Sequence, residues 1–170
     1  MTTSEELEAL EENQDTQKDK YLTFHIGSED YAIAIKNVTE IIGMMAITEV
    51  PQTPEYIKGV INLRGKVIPV MDIRLRFEME PRSYDERTCV IVVHLKQSTV
   101  GLVVDTVSEV LDIPEENIEA SSQFNHANGS SFIFGMGKVY DQIKMMIDVN
   151  SLLFQDSEQL QALNTSEEDD

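Results

Sequence analysis

The chain repeats itself. "YAIAIKNVTEII" (31–42) aligns with "VGLVVDTVSEVL" (100–111) at an offset of 69. Each copy has five mostly apolar residues, a charged residue, a polar one, then Val, Thr or Ser, Glu and two aliphatics. Downstream, Gly65-Lys66-Val67 matches Gly137-Lys138-Val139, and "VMDI" (70–73) matches "MIDV" (146–149) at an offset of 76. Three matches in one order predict a duplicated β unit. A unit of roughly 65 residues buries too little surface to stand alone, so two copies are expected to share a seam. Closing each sheet would also remove the exposed edges that alternating strands otherwise present. The expected architecture is mostly β: two small barrels side by side around a shared core, with a groove between them.

Local patterns supply the elements. "YLTFHIGSEDYAIAI" (21–35) reads as a hairpin turning at Gly27-Ser28-Glu29-Asp30. "KNVTEII" suits a short helical turn or a bent strand, and "EYIKGV" (55–60) reads as one helical turn closed by Gly59. Strands follow near 60–63 and 66–71 with Arg64-Gly65 at the bend, then a helical turn with Asp72 as N-cap. "TCVIVVHL" (88–95) and "TVGLVVD" (99–105) form a second, β-branched-rich hairpin. Asn128-Gly129 marks another turn, "KMMIDV" (144–149) a last strand, and 150–163 a C-terminal helix capped by Asn150 or Ser151.

The net charge of -18 is concentrated at the ends: residues 1–20 carry -5 and 155–170 carry -6. The N-terminal stretch has neither the basic nor the apolar region of a secretory signal. The apolar runs are too short to span a membrane. Acidic ends repel nucleic acid and anionic lipid, and an acidic, Trp-free domain with 6% aromatics lacks the electrostatic term that drives nucleic-acid binding. Seven of the 11 central bases fall between Lys58 and Arg87, which reads as surface balance for Arg74, Arg76, Arg82 and Arg87.

Chemistry-bearing patterns are scarce. His25, His94 and His126 are far apart and lack metal-ligand spacing, and Cys89 is the single cysteine, opening an apolar strand as an inert thiol would. "GMGK" (135–138) is no P-loop, because Phe132 and Val139 occupy positions that need Gly and Ser/Thr. Asp72, Asp105 and Asp148 end strands, where capping of a following turn is the ordinary role. These patterns favour protein binding without catalysis, cofactor or metal. A small enzyme or regulatory module with a scattered site is the alternative.

"IKGVINLRGKVIPVMDIR" (57–74), with "VVDTVSEVL" (103–111), "GMGK" and "MIDVNSLL" (146–153), resembles the CheW family of chemotaxis coupling proteins across about residues 21–154. The resemblance implies two five-stranded SH3-like β-barrels around a shared core, with a C-terminal helix. It divides the chain into an acidic N-terminal tail (1–20), a CheW-like domain (21–154) and a helix end with acidic tail (155–170). The barrels would span roughly 21–87 and 88–154, with terminal segments open to exchange. It further implies a non-catalytic, cytoplasmic adaptor, recruited to membrane receptor arrays without inserting in the bilayer. Its partners would be the regulatory domain of the histidine kinase CheA and the cytoplasmic tips of methyl-accepting chemotaxis receptors. The same domain occurs in CheA and CheV; a chain of 170 residues fits a standalone adaptor better.

Carried to this sequence, the receptor-facing residues would be Ile35, Val38, Glu40, Ile41, Lys58, Gly59, Arg64, Val90, Val104 and Val110. For each aliphatic, plain core is the competing role. Arg64 is expected to bridge to Glu40. Kinase contacts would come from the second barrel around "IPEENIEASSQF" (113–124), through Ile113, Glu119 and Phe124.

Overall fold

A computed structural model describes residues 17–96, 98–120 and 132–164. Among these residues, eleven strands form two sheets. The first half supplies β1 (Lys20–Ile26), β2 (Glu29–Ala34), β3 (Val38–Gly43), β4 (Ile57–Leu63) and β5 (Lys66–Asp72), followed by the short helix α1 (Ile73–Arg76). The second supplies β6 (Cys89–Leu95), β7 (Ser98–Val104), β8 (Thr106–Asp112), β9 (Ile118–Ala120), β10 (Ile133–Val139) and β11 (Gln142–Ile147). Two helices, α2 (Val149–Phe154) and α3 (Ser157–Leu163), end the described chain.

Sheet one runs β8-β1-β2-β11-β10-β9 and sheet two runs β3-β6-β7-β5-β4. Sheet membership therefore crosses the boundary expected near 87/88. The β1–β2 hairpin sits among strands of the second half, and the β6–β7 hairpin among strands of the first. Parallel pairings stitch the halves: β2 on β11, with Ala32 opposite Met146, and β5 on β7, with Val70 opposite Gly101. Each sheet thus takes one hairpin from the half of the chain that supplies most of the other sheet.

The repeat holds in register. Leu22 faces Ile33 as Ile91 faces Leu102, and His25 faces Asp30 as His94 faces Thr99, each pair related by the offset of 69. Ile57 faces Met71 as Ile133 faces Ile147, at the offset of 76. The offset changes because the connection from β8 to β10 is longer than that from β3 to β4. The Gly-Lys-Val match is coincidental: Gly65 lies in a hairpin turn, whereas Gly137 lies inside β10.

The end strands of each sheet are consecutive in the chain, the connectivity a barrel needs. In sheet one, β8 leads through a 3-10 turn (Glu115–Asn117) into β9, which pairs β10. In sheet two, the chain beyond β3 bonds β4 through Thr48 and Val60, N to O at 2.9 Å both ways. Glycine permits this approach. Gly59 has φ +144°, and a Cβ there would collide with the Thr48 carbonyl. Its counterpart Gly135 would place a Cβ 2.8 Å from the Glu119 carbonyl oxygen. Both glycines coincide with a register shift. Residues 57–60 therefore extend as β4, with alternate residues buried, and do not form the helical turn expected there.

One large core joins the sheets. It includes Leu22, Phe24 and Ile33 from sheet one, Met71, Ile91 and Leu102 from sheet two, and Leu152 and Leu160 from the terminal helices. A second cluster fills sheet two with Ile61, Ile68, Val70, Val90, Val92 and Val103, and a smaller one fills sheet one with Ala32, Ile113 and Met146. The equivalent aspartates Asp72 and Asp148 both cap helices, accepting from Leu75 N and Asn150 N. Asp148 thus takes the capping place expected of Asn150 or Ser151, and the C-terminal helix breaks between α2 and α3.

Candidate interaction surface

The β4–β5 turn is built by its sequence. Arg64 (φ 53°) and Gly65 (φ 88°) both take positive φ, as a two-residue type I′ turn requires. The Asn62 carboxamide oxygen accepts the Gly65 N–H at 2.9 Å and holds the turn. From there the Arg64 guanidinium reaches β3, with Nη2 2.6 and 2.7 Å from the two Glu40 carboxylate oxygens. The expected bridge is present. It ties one end strand of sheet two to the hairpin containing the other. With the Arg64 side chain 70% exposed, it contributes on the order of 0–1 kcal/mol. Its effect is to fix a shape.

Around this brace the expected contact residues divide. Ile41 and Val110, related by the offset of 69, are 43% and 49% exposed, on sheet two and sheet one respectively. Lys58 is half-buried, and Gly59 is buried, where it shapes the closure. Ile35, in the 3-10 turn between β2 and β3, and Val38 are half-buried and pack on the shared core. They border the seam where the chain passes from sheet one to sheet two. Val90 and Val104 require correction: both strands that carry them are covered on two faces, leaving the residues 1% and 2% exposed with no side to offer a partner. Ile113 is likewise buried inside sheet one. Glu119 is exposed on β9, 3.6 Å from the Lys138 ammonium. Phe124, Asn128-Gly129 and His126 lie outside the described residues.

The sequence reading missed a polar cluster where β7 passes into β8. The Asp105 carboxylate accepts Arg74 Nε at 2.9 Å, Arg74 Nη2 at 2.7 Å, Arg82 Nη1 at 3.2 Å and the backbone N–H of Gly27 at 2.8 Å. The Arg74 and Asp105 side chains are only 16% and 11% exposed, so Arg74 does more than balance surface charge. Burial disfavours ionisation of Asp105, but the hydrogen bonds from Arg74 and Gly27 and the Arg74 and Arg82 charges outweigh it and hold the carboxyl below its ordinary range. Asp105 therefore caps no following turn and instead holds the distant β1–β2 turn. The continuous apolar run before Asp105 gave no signal, because its partner lies 31 positions away. Arg76, also read as surface balance, instead lies between the rings of Tyr56 (4.9 Å) and Phe132 (5.0 Å). Tyr56 in turn donates to the buried Asp156 at 2.8 Å.

The remaining groups are placed structurally. His25 pairs with Asp30, and His94 Nδ1 lies 2.8 Å from the Thr99 hydroxyl. Cys89 is half-buried, with Sγ 3.2 Å from the Arg87 carbonyl. Burial and a hydrogen bond to Asp72 raise the Tyr84 phenol above its ordinary value. A groove of about 590 Å³ between the tip of the β6–β7 hairpin and α2–α3 is floored by Leu95, Leu153 and Leu160, with Lys96 its charged residue. No cluster of three metal-type ligands occurs among the described residues, and no described helix is long and apolar enough to cross a membrane.

Comparison with known proteins places this geometry. A family model described as the CheW-like domain matches residues 20–157. The chain is 38% identical over 139 residues to the chemotaxis protein CheW of Klebsiella aerogenes, covering 82% of this chain and 84% of that one. It is 31% identical over 137 residues to the chemotaxis protein CheW of Helicobacter pylori, covering 81% and 82%. Among solved structures, the scaffolding protein TtCheW of Thermoanaerobacter tengcongensis superposes with a TM-score of 0.74 at 35% identity, covering 79% of this chain and 92% of that one.

Proposed function

The chain belongs to the CheW-like domain family, and on that premise we propose that it acts as a non-catalytic adaptor in chemotaxis. It couples the histidine kinase CheA to the cytoplasmic signalling tips of methyl-accepting chemotaxis receptors. In this role it resides in the cytoplasm and is recruited to receptor arrays. The observation that carries the reading is the extent of the match: the domain fills most of both this chain and its relatives, so the domain is the working unit.

The surface supports assembly. Exposed Ile41 and Val110 offer apolar area, and the Arg64–Glu40 brace fixes the edge beside Ile41. The receptor's helical hairpin is read by an apolar groove-to-helix contact that includes Ile35 and Val38 at the seam, with Lys58 contributing from β4. Sheet one, through Glu119 and the connection containing Phe124, meets the kinase's homologous domain. Control of the kinase then follows from linked binding energies, since a partner that prefers one arrangement of the adaptor shifts its affinity for the other partner.

Co-sedimentation tests the reading. Purified protein should pellet with receptor signalling tips and should bring the CheA regulatory domain with it. Binding to neither partner would defeat it.

A further inference from the structure

The two passages of chain between the sheets are unequal. The first leads from β2 into β3 through the 3-10 turn Ile35–Asn37. Its central residue, Lys36, is exposed and forms no ion pair among the described residues. The second leads from β7 into β8 through Asp105, the residue equivalent to Lys36 at the offset of 69. Asp105 is held from three directions. Gly27 belongs to the β1–β2 turn of sheet one. Arg74 stands on α1, directly after β5 of sheet two. Arg82 lies in the connection between α1 and β6. One nearly buried carboxylate, at the end of β7 in sheet two, thus binds the β1–β2 turn of sheet one, the helix that follows β5, and the segment joining the halves of the chain.

We propose that Asp105 is a positioning residue: gripped by Arg74, Arg82 and Gly27, it sets the angle between the two sheets and so the geometry of the seam that Ile35 and Val38 border. The bidentate Arg74 contact fixes direction as well as distance, because a planar guanidinium meets a carboxylate in one orientation. Among the described residues the β2–β3 passage has no such tie. Rearrangement of one sheet against the other therefore pivots on the 104–106 passage and is taken up at 34–38. The clamp deepens the adaptor reading and rests on it for its functional consequence: it keeps receptor-side and kinase-side contacts at a fixed mutual angle, so that binding at one is felt at the other.

The experiment uses the full chain with Cys89→Ser and spin labels at exposed Glu49→Cys and Glu116→Cys, one on each side of the seam. D105N retains an acceptor for the Gly27 N–H but loses the charge that Arg74 and Arg82 grip. The inter-label distance distribution of D105N should shift or broaden, while circular dichroism stays that of the parent. R74K keeps the charge without the fork, and should broaden the distribution less. In the assembled complex, D105N should bind receptor tips and CheA within about threefold of the parent yet lose most receptor control of the kinase. Should D105N fail to fold, R74K is read by the same criterion. An unchanged distribution in the folded variant, or kinase control equal to that of the parent, overturns the clamp. A parent protein that binds neither partner defeats the adaptor reading instead, and the distance measurement, which needs no partner, still decides the clamp.

Discussion

Sheet two makes its outer hairpin turn with Arg64 and Gly65, and sheet one makes the equivalent turn with Tyr140 and Asp141, both at positive φ. Arg64 folds back onto Glu40; Tyr140, at the same place in the repeat, stands 88% exposed. Inside, Ile68 of sheet two is replaced in sheet one by Lys144, buried and bonded to Asp30 at 2.8 Å. Ile61 is replaced by Gly137. The backbone frame is shared to the residue, while its filling differs: an aliphatic interior with a charged exterior brace in one sheet, a smaller interior with a polar tie in the other. A duplicated frame can hold its register through hydrogen bonding and glycine placement alone, which leaves side chains free to give the two sheets different surfaces.

The sharpest way to break this comparison is at the shared closures. Gly59→Ala should cost on the order of 3–5 kcal/mol, because the new Cβ meets backbone and the φ of +144° is strained for any side chain. Gly135→Ala should cost about 1–3 kcal/mol, since one of the two atoms crowding it is the movable Ile118 Cγ2. Urea denaturation of both variants measures the difference, and equal costs would show that the closures are not inequivalent in the way described.

Acid tests the clamp against the rest. Asp105 and Asp30 both titrate below the ordinary carboxylate range: burial opposes this in each, and the Arg74 and Lys144 hydrogen bonds prevail. A folded-state pKa below the unfolded value of about 3.9 gives stability that is complete at neutral pH and is lost as pH falls through the folded value. D105N should therefore be less stable at pH 7, on the order of 3 kcal/mol, and should lose less than the parent between pH 5 and pH 3. Denaturation at stepped pH reads both slopes; parallel curves would contradict the assignment.

Grafting one filling into the other sharpens the comparison. Lys144→Ile imports Ile68 and leaves Asp30 with only His25, at a cost of about 1–3 kcal/mol. Adding Asp30→Thr, the residue at the equivalent position 99, should recover most of that loss. Failure to recover would mean that the two interiors are not interchangeable. The smallest effect on stability belongs to the exposed brace. Arg64→Glu should change stability by no more than about 1 kcal/mol yet weaken assembly with receptor and kinase, and Glu40→Arg in the same chain should restore part of it. Unaltered assembly in both variants would remove the brace from the binding face.

Much of this frame was legible in the residues. The offset of 69 aligned β2–β3 with β7–β8, and the apolar alternation marked both central hairpins. The Glu40–Arg64 approach was expected from opposite charges in the two segments that most resemble the CheW family. What escaped was long-range. Parallel pairing of β2 with β11 joins residues over 110 positions apart, and no local pattern encodes it. Val90 and Val104, carried over from the family resemblance, stayed open as contacts because a strand covered on both faces reads as a continuous apolar run, with no alternation to show which side faces water. Ile113 lies just past β8, in no strand, and only the fold turns it into sheet one. Asp105 was invisible for the opposite reason: a single charge in such a run resembles a strand end, and only the fold brings Arg74 and Gly27 to it.

The central claim is that one chain holds two partners in communication. The most direct measurement is the autophosphorylation rate of CheA mixed with receptor signalling tips, with and without this protein, as receptor ligand or modification state is varied. The account predicts that the rate follows the receptor state only when the protein is present. A rate that follows the receptor equally well without it, or that never responds with it, would contradict the account.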